Sequence, residues 1–318
     1  EEGSTIPVSK VQCARFLKQS SEMGALGCNR CHQVENNCAS CHSNHLTGAN
    51  ISRDPKICAK CHMGPDHPQW EMWETSLHGT LYYSAGQEVG PSCQLCHMPD
   101  GSHDVSRGLT SPPSMKPYPE EELAGRRDVM IGICRQCHAA DFARRDLESA
   151  DKIRQQSWDL VRSADEVVRD THDRGLLDPM PENRPGHPLR GHQLVTDGQM
   201  LYEDFSHIER LLFKMKKYDL AKTVKGAYHQ NPAYTHWYGN AELKMDLVDI
   251  QAEASRLRRA AGRGESTGST EQQPISNVES ELKLLKKRVD RGAISDDEYQ
   301  RAKKKLMNNY LERSGTTE

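Results

Sequence analysis

A mainly α-helical protein, loop-rich in its first half and built of long packed helices in its second, is predicted by three observations. Only 35% of the 318 residues are hydrophobic and 6% aromatic, with a mean hydropathy of −0.81, so a protein-only core would be thin. Ten of the eleven cysteines fall in five Cys-x-x-Cys-His motifs between residues 28 and 138. From residue 146 onward apolar residues recur at helical spacing.

The motifs are Cys28-Asn-Arg-Cys31-His32, Cys38-Ala-Ser-Cys41-His42, Cys58-Ala-Lys-Cys61-His62, Cys93-Gln-Leu-Cys96-His97 and Cys134-Arg-Gln-Cys137-His138. This spacing is the attachment signature of c-type haem. The two thiols bond to the vinyl groups, and the adjacent histidine ligates the iron from one face. Zinc also accepts paired cysteines, but it does not require a histidine directly after every second one, and here that histidine stands in all five motifs. Five haem c groups are expected, with His32, His42, His62, His97 and His138 as proximal ligands. The residues therefore predict a multihaem cytochrome c architecture, in which each porphyrin is an apolar plate that side chains and neighbouring haems pack against. Cys13 stands outside the motifs, and a buried thiol, a haem contact and an intermolecular disulfide are all open for it.

Residues 1–145 read as the pentahaem-binding region, made of short segments, turns and haem motifs and interrupted by a Pro-rich loop at 111–119. Residues 146–261 read as a helical region that packs on the haems and on neighbouring subunits. Its first helix, from 146 to about 174, carries Leu147, Ile153, Leu160, Val161, Val167 and Val168. After a loop with four prolines at 178–188, a second helix from about 198 to 220 sets Ile208, Leu211, Leu212 and Met215 on one face. A third, from about 241 to 261, places Leu243, Leu247, Ile250, Ala254 and Leu257 at steps of four and three. Residues 262–277 are polar and Gly/Ser/Thr-rich and read as a linker. Residues 278–314 read as a helical hairpin, with Leu282, Leu285 and Val289 on the first helix, Gly292 as a stop, and Ser295 with Glu298 as a capping box opening the second. Tyr299, Ala302, Leu306 and Tyr310 make the apolar face of that second helix. Its wording resembles the short C-terminal oligomerisation hairpins of the SHOCT type.

Ten histidines remain outside the motifs. Electron-transfer haems commonly take a second histidine, which closes the iron to substrates. His45, His78 and His103 lie in the haem-bearing half and are the distal candidates, unassigned to particular haems. Met63 and Met98 follow motif histidines on the proximal side and read as packing. Bis-histidine ligation at four haems and an open or unusual fifth is the expected pattern.

The net charge of −3, with no basic stripe, argues against nucleic acid as a partner. No apolar run reaches the length of a membrane span, and no signal peptide precedes Glu1. Because c-type haem is attached outside the cytoplasm, the numbering is expected to start after a removed export signal, with a periplasmic or extracellular location.

The wording around the motifs carries a more specific likeness. Gly64-Pro-Asp-His-Pro after the third motif, Ser76-Leu-His-Gly, Cys93-Gln-Leu-Cys-His-Met-Pro, His103-Asp-Val-Ser, Ser206-His-Ile-Glu-Arg and Lys225-Gly-Ala-Tyr-His-Gln-Asn-Pro-Ala-Tyr-Thr-His-Trp-Tyr-Gly together resemble the hydroxylamine oxidoreductase family. That family typically has eight haems, so the chain looks like its C-terminal pentahaem part, which also resembles pentahaem nitrite reductases. The resemblance implies a trimer, a small redox-partner cytochrome, and a catalytic haem at Cys28, Cys31 and His32. It further implies Asp66 and His67 as the acid and base of the distal pocket, and Tyr234 as a residue cross-linked to the catalytic haem of a neighbouring subunit, with Tyr228 and Tyr238 as alternatives. The expected function is redox chemistry on hydroxylamine, nitric oxide or nitrite at the first haem, with the other four as a relay. The alternative is a non-catalytic electron conduit or a subunit of a larger respiratory or filamentous assembly. Only five residues separate His32 from Cys38, which brings the first two haems close and shortens the loop that would border a substrate pocket.

Overall fold

The computed structural model describes residues 38–42, 49–112, 114–178 and 206–264, and toward the C-terminus 282, 285, 286, 289 and 294–314. The first haem motif, Cys13, His45 and most of the linker lie outside the described residues. Among the described residues every regular element is helical. Two compact units are present, Glu1–Ala260 and Ala261–Glu318.

The haem-bearing stretch is cut into short helices by its prolines and glycines. Helix α1 (Gln69–Glu74) follows Pro68, α2 (Leu77–Ala85) is capped by the Ser76 side chain accepting from the Gly79 amide, and α3 (Cys93–His97) is the fourth motif itself. Helix α4 (Glu120–Cys134) departs from the expected loops. It starts after Pro119 with three acidic residues, a favourable charge for a helix N-terminus. Its apolar residues bunch toward the C-terminal end, where Ile131 and Ile133 are buried, so no stripe runs along its length.

Helix α5 (Ala140–Asp173) begins six residues before the expected start at 146. Its buried positions are Ala143, Leu147, Ala150, Arg154, Ser157, Val161, Ala164, Val168 and Thr171. These alternate in steps of four and three, the spacing of a seam that faces partner helices. Alanine, serine and threonine at several of them let α7 approach closely, and the same small or polar side chains conceal the seam from a hydrophobicity reading.

Helix α6 (His207–Lys214) opens on a capping box between Ser206 and Glu209. A π-turn, Met215–Asp219, leads into α7 (Leu220–Tyr228); a short turn, Pro232–Tyr234, and a second π-turn, Thr235–Asn240, lead into α8 (Ala241–Gly264). The core joins Val161 and Val168 of α5, Ile208 and Leu212 of α6, Met215, Val224 of α7, and Leu243, Ile250 and Ala254 of α8. Of the stripes expected there, Ile208, Leu212, Met215, Leu243, Ile250 and Ala254 are buried, and Leu211, Leu247 and Leu257 pack half-buried at the edge of this core. Gly239 allows the second π-turn to lie on α7, because a Cβ there would stand 2.6 Å from the Thr223 backbone.

In the C-terminal unit, α9 (Asp296–Ser314) has the expected box: the Ser295 amide donates to Glu298 Oε2 at 2.8 Å and the Glu298 amide donates to Ser295 Oγ at 3.3 Å. Tyr299, Ala302 and Leu306 are half-buried between exposed neighbours, as an amphipathic face requires.

Candidate haem and redox site

Each described motif closes into the same helical turn. The histidine amide donates to the first cysteine's carbonyl at 2.8 Å for His42, 2.9 Å for His62 and 2.9 Å for His138, and the fourth motif forms α3. One turn of helix brings both thiols and the imidazole to one side, as a haem bound through all three requires.

Second imidazoles stand opposite the motif histidines. Ring centres are 6.2 Å apart for His42 and His103, 6.2 Å for His97 and His229, and 6.1 Å for His78 and His138. Two axial imidazoles on one iron have ring centres about 6 Å apart, from metal–nitrogen bonds of about 2 Å with each ring centre about 1 Å beyond its nitrogen. These three pairs fit a bis-histidine haem. The His97–His229 pair fits most completely: His229 Nδ1 lies 2.7 Å from the Lys225 carbonyl and His97 Nδ1 3.5 Å from that of Val105. A carbonyl only accepts, so each Nδ1 carries the proton and Nε2 keeps the lone pair a metal needs. Burial, with His97 nearby, pushes His229 down to about 4, which keeps the ring neutral.

A fourth pair, His62 and His67, has ring centres 6.4 Å apart but does not fit in the same way. Five residues span about 17 Å only when fully extended, whereas this segment must pass around a porphyrin edge and instead bends at Gly64, where φ is +93°. His67 is held by another partner, with Nδ1 3.0 Å from Asp66 Oδ1. Lys217 approaches Asp66 at 3.4 Å. Burial alone would raise the Asp66 carboxyl, but the hydrogen bond and charge of His67 and the charge of Lys217 outweigh it and leave it low. Asp66 is therefore an anion paired with an imidazole, the arrangement of an acid–base couple.

The segment carrying Tyr234 docks beside this turn. Asn231, 3% exposed, donates from Nδ2 to the Met72 carbonyl and to Thr75 Oγ1, both at 2.8 Å, and accepts from the Tyr234 amide at 2.9 Å. Lys225 Nζ lies 3.4 Å from the Asp66 carbonyl. Burial, with Glu71 and Tyr238 close by, pushes the Tyr234 phenol up to about 12. Its ring packs 5.1 Å from that of Tyr238, and Tyr238 and Trp237 are largely exposed. Tyr228 is committed elsewhere, donating to Asp151 at 2.5 Å and accepting from Arg154 at 2.6 Å. His229 was not among the distal candidates read from sequence, because it lies far along the chain from the motif it faces; its burial at the end of α7 is visible only in three dimensions.

Among the described residues no group of three or more His, Cys, Asp or Glu side chains is arranged to hold a metal ion. The recurrent unit is instead a Cys-x-x-Cys-His turn facing one more imidazole, which defines a c-type cytochrome. The chain belongs to the multihaem cytochrome c family: the family model described as seven times multi-haem cytochrome CxxCH matches residues 8–90 and 82–185. Within it, the relatives are of the hydroxylamine oxidoreductase kind. The chain is 27% identical over 342 residues to a probable nitrite reductase–hydroxylamine oxidoreductase fusion protein of Kuenenia stuttgartiensis, covering 82% of this chain and 40% of the relative. It thus spans about two fifths of that relative's length. Among solved structures it is similar to a reducing HAO-like protein complex of Kuenenia stuttgartiensis, with a TM-score of 0.67, 25% identity, and 80% of this chain and 66% of that chain covered. A hypothetical multihaem protein shares the fold at 18% identity, with a TM-score of 0.57 over 71% of this chain and 59% of the other. Residues 280–307 match the short C-terminal domain, SHOCT.

Proposed function

We propose that the chain is a pentahaem redox enzyme acting on a small nitrogen compound of the hydroxylamine, nitric oxide and nitrite class. The haem held by Cys28, Cys31 and His32 is the reaction centre, and the other four relay electrons to or from a small redox-partner cytochrome. The observation that carries this reading is the set of three imidazole pairs at axial spacing, because a haem closed on both faces transfers electrons and does not take substrate. His103, His229 and His78 are the second ligands of the haems at His42, His97 and His138. His67, held by Asp66, is left to act with it rather than to close a haem.

Cys28, Cys31 and His32 would hold this haem, which would supply a redox-active iron for the nitrogen compound. Asp66 holds His67 by its Nδ1 and sets Nε2 toward the substrate, where it takes or gives the protons that accompany each electron. Tyr234 decides direction. A phenol bonded to the catalytic haem of a neighbouring copy favours oxidation of hydroxylamine; a free phenol leaves reduction, and the likeness to a reducing HAO-like complex favours reduction. The exposed face of Trp237, Tyr238, Met245 and Val248 supports self-association, with a trimer as the proposed form. The short C-terminal domain supplies a second association element. Among the described residues no helix is long and apolar enough to cross a membrane, and the proposed location is periplasmic or extracellular.

The test is turnover by the five-haem protein. Reduced protein should be reoxidised by nitrite or nitric oxide, and His67→Ala should slow that step at least tenfold while leaving haem content and chemical reduction unchanged. Indifference of the reduced protein to nitrite, nitric oxide and hydroxylamine alike would favour the electron conduit.

A further inference from the structure

Four charged or polar side chains meet where α4, α5 and the end of α7 come together. Asp151 of α5 accepts from Tyr228 at 2.5 Å, from Arg154 Nη2 at 2.9 Å, and pairs with Arg127 of α4. Arg154 also donates to the Tyr228 hydroxyl at 2.6 Å. Arg154 and Arg127 are only 7% and 19% exposed along their side chains, and Asp151 is 23% exposed. Two guanidinium groups therefore share one carboxylate. The cluster carries a net positive charge, and Arg127 Nε and Nη2 are both buried without a hydrogen bond, Nη2 meeting Asp151 as an ion pair only. An uncompensated buried cation of this kind is costly to fold around, and a guanidinium offers a planar fork matched to a carboxylate.

The position says which carboxylate. Tyr228 directly precedes His229, the imidazole facing His97. Its ring also packs against the apolar cluster of Ile131, Ala143 and Leu147, which takes in Cys134 of the fifth motif. The cluster thus lies between two haem attachment sites, and each c-type haem carries two propionate carboxylates.

We propose that Arg127, positioned by Asp151 and backed by Arg154 and Tyr228, is the binding site for a haem propionate. This rests on the haem reading of the motifs. The carboxylate neutralises the surplus charge and satisfies Arg127 Nε, while Asp151 fixes the guanidinium so that its free edge faces the cofactor. Arg127 is in consequence a positioning residue for the haem and a control on its potential, since a cation near the propionate favours the reduced iron.

An experimental structure of the five-haem protein tests this directly. A propionate oxygen within hydrogen-bond distance of Arg127 Nε is expected, and the haem it belongs to, that of Cys93 and Cys96 or that of Cys134 and Cys137, identifies the source. Water or a protein group in that place overturns the proposal. Spectroelectrochemical titration gives a second readout: Arg127→Gln should lower one haem midpoint and leave the others in place, with Arg127→Lys intermediate. Five unchanged midpoints in Arg127→Gln would also overturn it. Haem count by intact mass and the low-spin spectrum report separately on the haem reading, so its failure would be visible as such.

Discussion

Replacing Asn231 tests how the Tyr234 segment is held against the Asp66 turn. Its side chain makes three hydrogen bonds while 3% exposed: two donated to Met72 and Thr75, one accepted from the Tyr234 amide. In Asn231→Ala the two donated bonds are worth about 1 kcal/mol each and the cap about 1 kcal/mol more, so the loss is about 3 kcal/mol. For a unit of this size each kcal/mol moves Tm by roughly 2–4 °C, which makes the expected drop about 6–12 °C. Asn231→Asp separates the contributions. It keeps the accepting oxygen and hence the cap, but turns a carboxylate toward the Met72 carbonyl inside a buried site. It should cost at least as much as alanine at pH 7. Thermal unfolding followed by circular dichroism at 222 nm and by the Soret band reads both variants. A neutral Asn231→Asp, or an Asn231→Ala loss below about 1 kcal/mol, would show that Asn231 is only a turn residue and that the reasoning about the docked segment is wrong.

Three further perturbations follow from the geometry. His229→Ala should convert one low-spin haem into one that binds carbon monoxide, whereas the half-exposed His172→Ala should leave the spectrum as it was. Asp246, 2% exposed, is raised to about 7 by burial and by its neighbour Asp219. Its folded value is above the unfolded 3.8, so its stabilisation is complete below pH 3.8 and is lost as pH rises toward 7. The Lys214 ammonium, 2.8 Å from Asp246 Oδ1, opposes that rise without cancelling it, so Asp246→Asn should flatten the pH dependence of urea unfolding in that window. Finally, Ser295→Ala removes the box that opens α9 and should destabilise that helix by about 1 kcal/mol, read as a loss of helicity by circular dichroism of the chain with and without the substitution.

Local chemistry was legible in the sequence and long-range pairing was not. The Cys-x-x-Cys-His motifs were readable because haem attachment needs a fixed spacing within one helical turn. The stripes of α6 and α8 and the Ser295–Glu298 box were readable for the same reason, each being a relation between residues three or four apart. Helix α4 was missed because its apolar residues crowd at one end, and the true start of α5 because Ala143, Ala150 and Ala164 occupy buried positions without raising hydrophobicity. His78 and His103 were recognised as candidates, but their partners His138 and His42 lie 60 or so residues away, and His229 lies more than a hundred from His97. No local pattern encodes those pairings. The Arg127–Asp151–Tyr228 cluster draws on three separate helices and leaves no trace in any one of them.

The central claim, one reactive haem served by four closed ones, is tested most directly by the absorption spectrum of the fully reduced protein before and after carbon monoxide. The account predicts five haems per chain by mass, with carbon monoxide shifting the Soret band of one of them and leaving the other four low-spin and unchanged. Five low-spin haems that all ignore carbon monoxide would contradict it and make the protein an electron conduit.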